Sequence, residues 1–154
     1  MRKEIINKTV LGLEISSLMN AGQLVSDQIA SNLIEKFISN KEYKNRLIFD
    51  GYPRNLTQAK TLNELLNKYG QKINLVLKLS VSLETVKKRI SERRALEKRE
   101  DDSEEIAIKR YNTYEKNIEP VTNFYEKTNL LKVVNGEGSI NEINNEIRGL
   151  IDGI

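Results

Sequence analysis

The stretch RLIFDGYPRNLTQAKTL, Arg46 to Leu62, constrains the fold of this chain more than any other. Leu47-Ile48-Phe49 is a short apolar run that reads as a buried strand. Asp50-Gly51 and Tyr52-Pro53-Arg54 then turn the chain, and Asn55 is placed to cap a helix. A strand that turns directly into a helix is the layout of α/β proteins, which bind ligands just outside the carboxyl ends of their strands. A carboxylate and a guanidinium four residues apart in that turn suit a magnesium phosphate ligand. Asp50 can hold the metal's water shell, and Arg54 can fork onto phosphate oxygens. The plain alternative is a turn aspartate beside a solvated arginine, and position alone leaves both open.

The rest of the chain repeats the alternation. A weak helical pattern over residues 1–20, carried by Ile5, Ile6, Val10, Leu11, Leu13, Ile15 and Leu18, breaks at Ala21-Gly22. Ser26 or Asp27 then caps an amphipathic helix with Ile29, Leu33, Ile34, Phe37 and Ile38 on one face. The helix after the turn sets Ala59, Leu62, Leu65, Leu66 and Tyr69 inward and stops at Gly70. Ile73 to Val81 is a second strand, and Ser82 caps a helix that carries Val86 and Ile90 into a run of arginines. Asp101-Asp102-Ser103 starts another helix, which Pro120 bends or restarts. Leu130 to Val134 is a third strand. Ser139 with Glu142 forms a capping box ahead of the last helix, whose apolar positions are Ile140, Ile143, Ile147, Leu150 and Ile151. Three strands separated by helices predict a parallel α/β sheet in one domain spanning 1–154.

Composition narrows the chemistry. The chain has no His and no Cys, so imidazole catalysis, thiolate metal sites and disulfides are excluded. Catalysis would have to run on charge and positioning by Arg, Lys and carboxylates, as phosphoryl transfer does. Lys+Arg 25 against Asp+Glu 22 gives a net charge of only +3, which suits a small phosphorylated ligand as well as nucleic acid. No apolar run approaches membrane-spanning length, and Met1-Arg2-Lys3-Glu4 leads into no signal-peptide core, so a cytoplasmic protein is expected.

The arginines Arg89, Arg93, Arg94, Arg99 and Arg110 are clustered, with Arg89 and Arg93 one helical turn apart on one face. Two adjacent guanidiniums repel mildly unless an anion sits between them. The alternative is a solvated helix paired with Glu84, Glu92 and Glu97.

The wording of Arg46 to Leu62 resembles the Phe-Asp-Gly-(Phe/Tyr)-Pro-Arg-x-x-x-Gln-Ala segment of the adenylate kinases, within the nucleoside monophosphate kinase family. The stretch from Arg89 to Ser139 is similar to the segment of that family that runs through the lid. The resemblance spans nearly the whole chain, in order. It implies a three-layer α/β core of the P-loop kinase type, a parallel sheet with helices on both faces. The AMP-binding region would lie at 1–40, the core at 41–90 and 101–154, and a short lid at 91–100. It implies that Arg89 and Arg93 contact ATP phosphates, while Arg99 and Arg110 bridge both nucleotides at the transferring phosphate. Asp101 and Asp102 would form the lid hinge, and Val134-Asn135-Gly136 the turn that meets the ATP adenine. On the acceptor side, Arg2 and Arg54 would grip the AMP phosphate at the Gly51 turn. Gln23, Leu24 and Val25 would line the adenine, and Gln58 would hydrogen-bond its edge, favouring AMP over the UMP/CMP kinase pattern. Asp50 would act on Mg2+, brought with ATP, through water. ATP, AMP and ADP are the implied partners, with neither nucleic acid nor membrane. Lys98 stands where the family usually has Gly.

One family motif does not occur in these residues. No Gly-x-x-x-x-Gly-Lys-Ser/Thr phosphate loop occurs in the 154 residues. The resemblance therefore implies an adenylate kinase without its N-terminal strand and phosphate loop. In the family that strand is central, between the strands expected at 47–50 and 74–80. Such a chain is expected to repack, to fold poorly, or to borrow a strand from a partner. Two readings stay open: an enzyme that acts with the N-terminal part restored or supplied, and a non-catalytic remnant that binds nucleotide weakly.

Overall fold

Local sequence chooses the helices of the chain. The computed structural model describes residues 6, 7, 9, 12, 13, 15–17, 26–97 and 103–154. Helix α1 spans Asp27–Ile38, and its cap is Ser26, whose hydroxyl accepts from the Ile29 N–H. A 3-10 turn at Lys41–Tyr43 follows. Helix α2, Leu56–Lys68, is capped by Asn55 as expected, and Gly70, at φ +63°, turns the chain away after it. Strand β1 is Val76–Ser80, helix α3 is Leu83–Glu97, and helix α4 is Glu104–Glu126 with Ser103 as its cap. Strand β2, Leu131–Asn135, pairs with β1 in parallel, Val76 opposite Leu131 and Ser80 opposite Asn135. Helix α5, Ile140–Asp152, begins on the expected Ser139–Glu142 capping box. Parallel strands joined through helices make this an α/β fold.

Helix α2 is the spine of the described core. Leu62 and Leu66 pack with Ile38 of α1, and Leu47, Phe49 and Tyr52 close over them. Ala59 packs with Val121 and Tyr125 of α4 against Val76 and Leu131 of the sheet. Ile73 touches both clusters, so it packs rather than pairs, and β1 begins three residues later than its apolar run. Gln71, buried just after α2, accepts from the Asn45 N–H at 2.9 Å and donates to Ile38 O at 2.9 Å, fixing the loop between α1 and the turn. Across the surface, Lys68 reaches Glu35 at 2.7 Å, and the Tyr69 hydroxyl donates to the same oxygen at 3.0 Å.

Four expectations are corrected. The strand expected at 47–49 is not formed, and the sheet is two-stranded among the described residues, because no described neighbour supplies this segment with ladder hydrogen bonds. Pro120 does not restart the helix, since α4 runs through it. Pro120 lies on the exposed face, so the carbonyl that lacks its amide can turn to water. Phe37 is 48% exposed and rests on Tyr43 instead of the core. On α5, Ile140 and Ile151 are exposed, since among the described elements that helix packs chiefly on strand β2. No helix among the described residues is long and apolar enough to cross a membrane.

Candidate functional site

The turn between residues 50 and 58 is a closed hydrogen-bonded unit. Gly51 sits at φ +66°, a conformation that an L side chain strains to adopt. The Arg54 side chain folds back over it, and Nε donates to Gly51 O at 2.7 Å. A Cβ on Gly51 would lie 2.9 Å from Arg54 Nη2, so glycine leaves the space the guanidinium occupies. Protein atoms crowd that guanidinium and hold its pKa below the usual arginine value. The positive charge of Arg110 adds to this effect, and the carboxylate of Asp50 opposes it. Arg110, on α4 and 56 residues away in sequence (110 − 54), is thus near enough for its charge to act on Arg54, with Asp50 within the same field.

Gln58 is 4% exposed, and both ends of its amide are engaged. Oε1 accepts from the Arg54 N–H at 2.8 Å, and Nε2 donates to Asp27 Oδ1 at 2.7 Å. Asn55 Nδ2 donates to the same carboxylate at 3.0 and 3.3 Å, while Asn55 Oδ1 accepts from the Gln58 N–H at 2.8 Å. Because Ser26 takes the cap of α1, the Asp27 carboxylate is released to cross to α2. The sequence read Asp27 only as a possible cap. The signal that it does more is the polar pair Asn55 and Gln58 at helical spacing, whose donors need a buried acceptor.

The arginines of α3 lie elsewhere on the surface. Arg89 is exposed and its Nη2 donates to Gly138 O at 3.2 Å, tying α3 to the loop after β2. Arg93 follows one turn later, half-buried. In the same loop, Gly136 is buried and its N–H donates to Ser80 O at 2.8 Å, closing the end of the sheet. A Cβ there would lie 2.5 Å from Val81 Cγ1 and 3.0 Å from Ser80 O, so the close approach requires glycine. Asn135 Oδ1 accepts from the Glu137 N–H at 3.0 Å. Glu137, which the sequence reading missed, caps α3 through the Ser82 N–H and the Thr85 hydroxyl. Those bonds hold its carboxyl below the usual carboxylate range.

The structure thus gathers Asp50, Gly51, Arg54 and Gln58 at one end of α2, with the charge of Arg110 acting on Arg54, and Arg89, Asn135 and Gly136 at the end of the sheet. Arg2, Gln23, Leu24, Val25, Arg99, Asp101 and Asp102 lie outside the described residues. No group of three or more His, Cys, Asp or Glu side chains that could hold a metal occurs among the described residues. Asp50, a single exposed carboxylate, suits a magnesium ion that arrives on a nucleotide and keeps most of its water.

The family model of adenylate kinase matches residues 1–130. The adenylate kinase of Pelagibacter ubique (strain HTCC1062) is 36% identical over 177 aligned residues, covering 98% of this chain and 83% of that protein. The adenylate kinase of Xylella fastidiosa (strain M12) is 37% identical over 147 residues, covering 96% of this chain and 79% of the relative. That of Xanthomonas campestris pv. campestris (strain 8004) is 39% identical over 143 residues, covering 93% and 76%. The α/β fold and these matches define a P-loop kinase-like protein of the nucleoside monophosphate kinase class. Within that class, the chain belongs to the adenylate kinase family.

Proposed function

We propose that the chain moves a phosphoryl group reversibly between Mg·ATP and AMP, giving two ADP, and that the turn at 50–58 is its AMP site. The observation that carries this reading is the turn itself: Arg54 is held over Gly51 and its N–H is tied to the buried Gln58 amide, with the charge of Arg110 acting on it. Two guanidiniums acting on one another's field favour an anion of two or more charges near them. Arg54 grips the AMP phosphate, assisted by Arg2. Arg110, with Arg99, neutralises the charge spread over the phosphoryl group in flight. Arg89 and Arg93 take the ATP phosphates, and Asn135-Gly136 borders its adenine. Gln23, Leu24, Val25 and Gln58 surround the acceptor base, and Asp101 and Asp102 hinge the short lid. Asp50 holds the water shell of the magnesium that ATP brings.

The reaction needs no general base. The attacking oxygen belongs to an AMP phosphate already ionised at neutral pH, and the bond that breaks joins the γ phosphorus to the β,γ-bridging oxygen. The protein's work is positioning and charge. A cytoplasmic location and a role in nucleotide supply belong to the same proposal.

ADP formation by the purified chain, given Mg·ATP with AMP, CMP or UMP, tests the reading. Turnover with AMP far above the pyrimidine nucleotides supports it, and equal turnover with all three refutes the acceptor assignment. Turnover only after a segment with Gly-x-x-x-x-Gly-Lys-Ser/Thr is joined ahead of Met1 would assign the β,γ-phosphate grip to that segment. Arg54→Ala should then cut AMP turnover by about a hundredfold or more, and an unchanged rate refutes its role.

A further inference from the structure

We propose that Asp27 is a positioning residue that fixes which way round the Gln58 amide faces, and thereby makes the site prefer a 6-amino over a 6-oxo purine monophosphate. This rests on the assignment of residues 50–58 to the acceptor nucleotide.

A glutamine amide does not by itself tell adenine from hypoxanthine. Adenine presents a 6-amino donor beside the N1 acceptor, and hypoxanthine presents a 6-oxo acceptor beside an N1–H donor. The amide offers one oxygen and one NH2 group, and a half-turn exchanges them. A glutamine free to flip pairs with either base.

Gln58 is not free to flip. Its Nε2 lies 2.7 Å from Asp27 Oδ1, an atom that only accepts, and its Oε1 lies 2.8 Å from the Arg54 N–H, which only donates. A half-turn would set oxygen against carboxylate and NH2 against N–H. At 4% exposure, little water can relieve either clash. Asp27 is itself held in place by the Asn55 amide at 3.0 and 3.3 Å. With one valence used at each end, the amide keeps one N–H and one oxygen lone pair. For a base held in one pose, that pair serves the N1 acceptor and 6-amino donor of adenine, and hypoxanthine, with donor and acceptor exchanged, needs the amide turned round. The Arg54 N–H belongs to the residue that grips the phosphate, so one chain of hydrogen bonds joins base readout to phosphate grip.

Isothermal titration of the 154-residue chain with AMP and with inosine monophosphate, without ATP, tests this. The wild type should bind AMP about a hundredfold more tightly, because the wrong base leaves buried groups unpaired. In Asp27→Ala no carboxylate faces Gln58 Nε2, so the amide is free to turn, and the preference should fall about tenfold. Asp27→Ser, whose hydroxyl donates or accepts, gives the same readout should Asp27→Ala fail to fold. The ratio of the two dissociation constants is unmoved by a loss of folded protein, which affects both ligands alike. AMP binding with no preference in the wild type, or an unchanged ratio in the variants, overturns the proposal. Absence of AMP binding by the folded wild type overturns the acceptor-site reading itself, and this proposal falls with it.

Discussion

Replacing Gly51 with alanine probes how the backbone of the turn holds the phosphate grip. The substitution has two separable costs. A side chain at φ +66° costs about 1 kcal/mol of backbone strain. The new methyl would also stand 2.9 Å from Arg54 Nη2. The far end of a flexible side chain moves easily, so the contact itself costs little. Moving it, however, breaks the 2.7 Å bond from Arg54 Nε to Gly51 O. That bond is at an exposed side chain and contributes about 1 kcal/mol at most. Gly51→Ala should therefore lose about 1–2 kcal/mol in urea unfolding, a fall in Tm of about 3–6 °C for a domain of this size. With Arg54 displaced from its place, AMP affinity should fall about tenfold. The decisive assay is a double-mutant cycle read by calorimetry. In an Arg54→Ala background the alanine at 51 should still cost the backbone strain but no further affinity. An equal loss of affinity in both backgrounds would refute the claim that Gly51 acts by making room for Arg54.

Two further perturbations test the packing and the loop after β2. The Tyr125 hydroxyl is buried with no hydrogen-bond partner among the described residues, so Tyr125→Phe should stabilise the chain by about 1 kcal/mol in urea. Burial also pushes this phenol up to about 12. A raised folded value means that its share of stability is intact below the ordinary phenol value and is lost as pH climbs through about 12. Tyr125→Phe should accordingly lose less stability than the wild type between neutral pH and pH ~11; identical pH profiles would count against the burial argument. Glu137 behaves oppositely. Its folded value is depressed by the Thr85 hydroxyl and the Ser82 N–H, so its contribution is present above the ordinary carboxylate value and lost as pH falls through the folded one. Glu137→Gln should flatten the acid limb of the stability profile, and an unaltered limb would show that the capping carboxylate adds nothing.

What the sequence made legible was the chemistry that one segment carries within itself. Asn55 caps α2 and Ser139 with Glu142 opens α5 because a side chain satisfies backbone groups three residues away, and Gly70 ends α2 because only glycine takes its positive φ without strain. The same holds for Arg54 and Gly51, whose spacing already brought guanidinium and turn together. Asp27 was not legible. Its partners Asn55 and Gln58 lie 28 and 31 residues on, and only the packing of α1 against α2 brings them within reach. Arg110 was legible as a member of a basic cluster, but the action of its charge on Arg54 depends on α4 packing on α2.

Residues 47–49 show where pattern reading stops. Leu47 and Phe49 are half-buried over the α1–α2 cluster while Ile48 between them is 89% exposed. That is the alternation a strand requires, and the sequence predicted a strand from its apolarity. The backbone nonetheless enters no ladder. Apolar periodicity records which side chains leave water, and Leu47 and Phe49 do so by packing on helices alone. A strand needs in addition a neighbouring backbone at hydrogen-bonding distance, a property of the partner that no local pattern encodes. β1 has that neighbour in β2, at matched register from Val76 to Ser80. Among the described residues, the segment before the Asp50 turn has the side-chain pattern without such a neighbour. Its placement of Asp50 and Arg54 therefore rests on the contacts of Leu47, Phe49 and Tyr52 with α2, and on the Gln58 amide that ties Arg54 to the first turn of that helix.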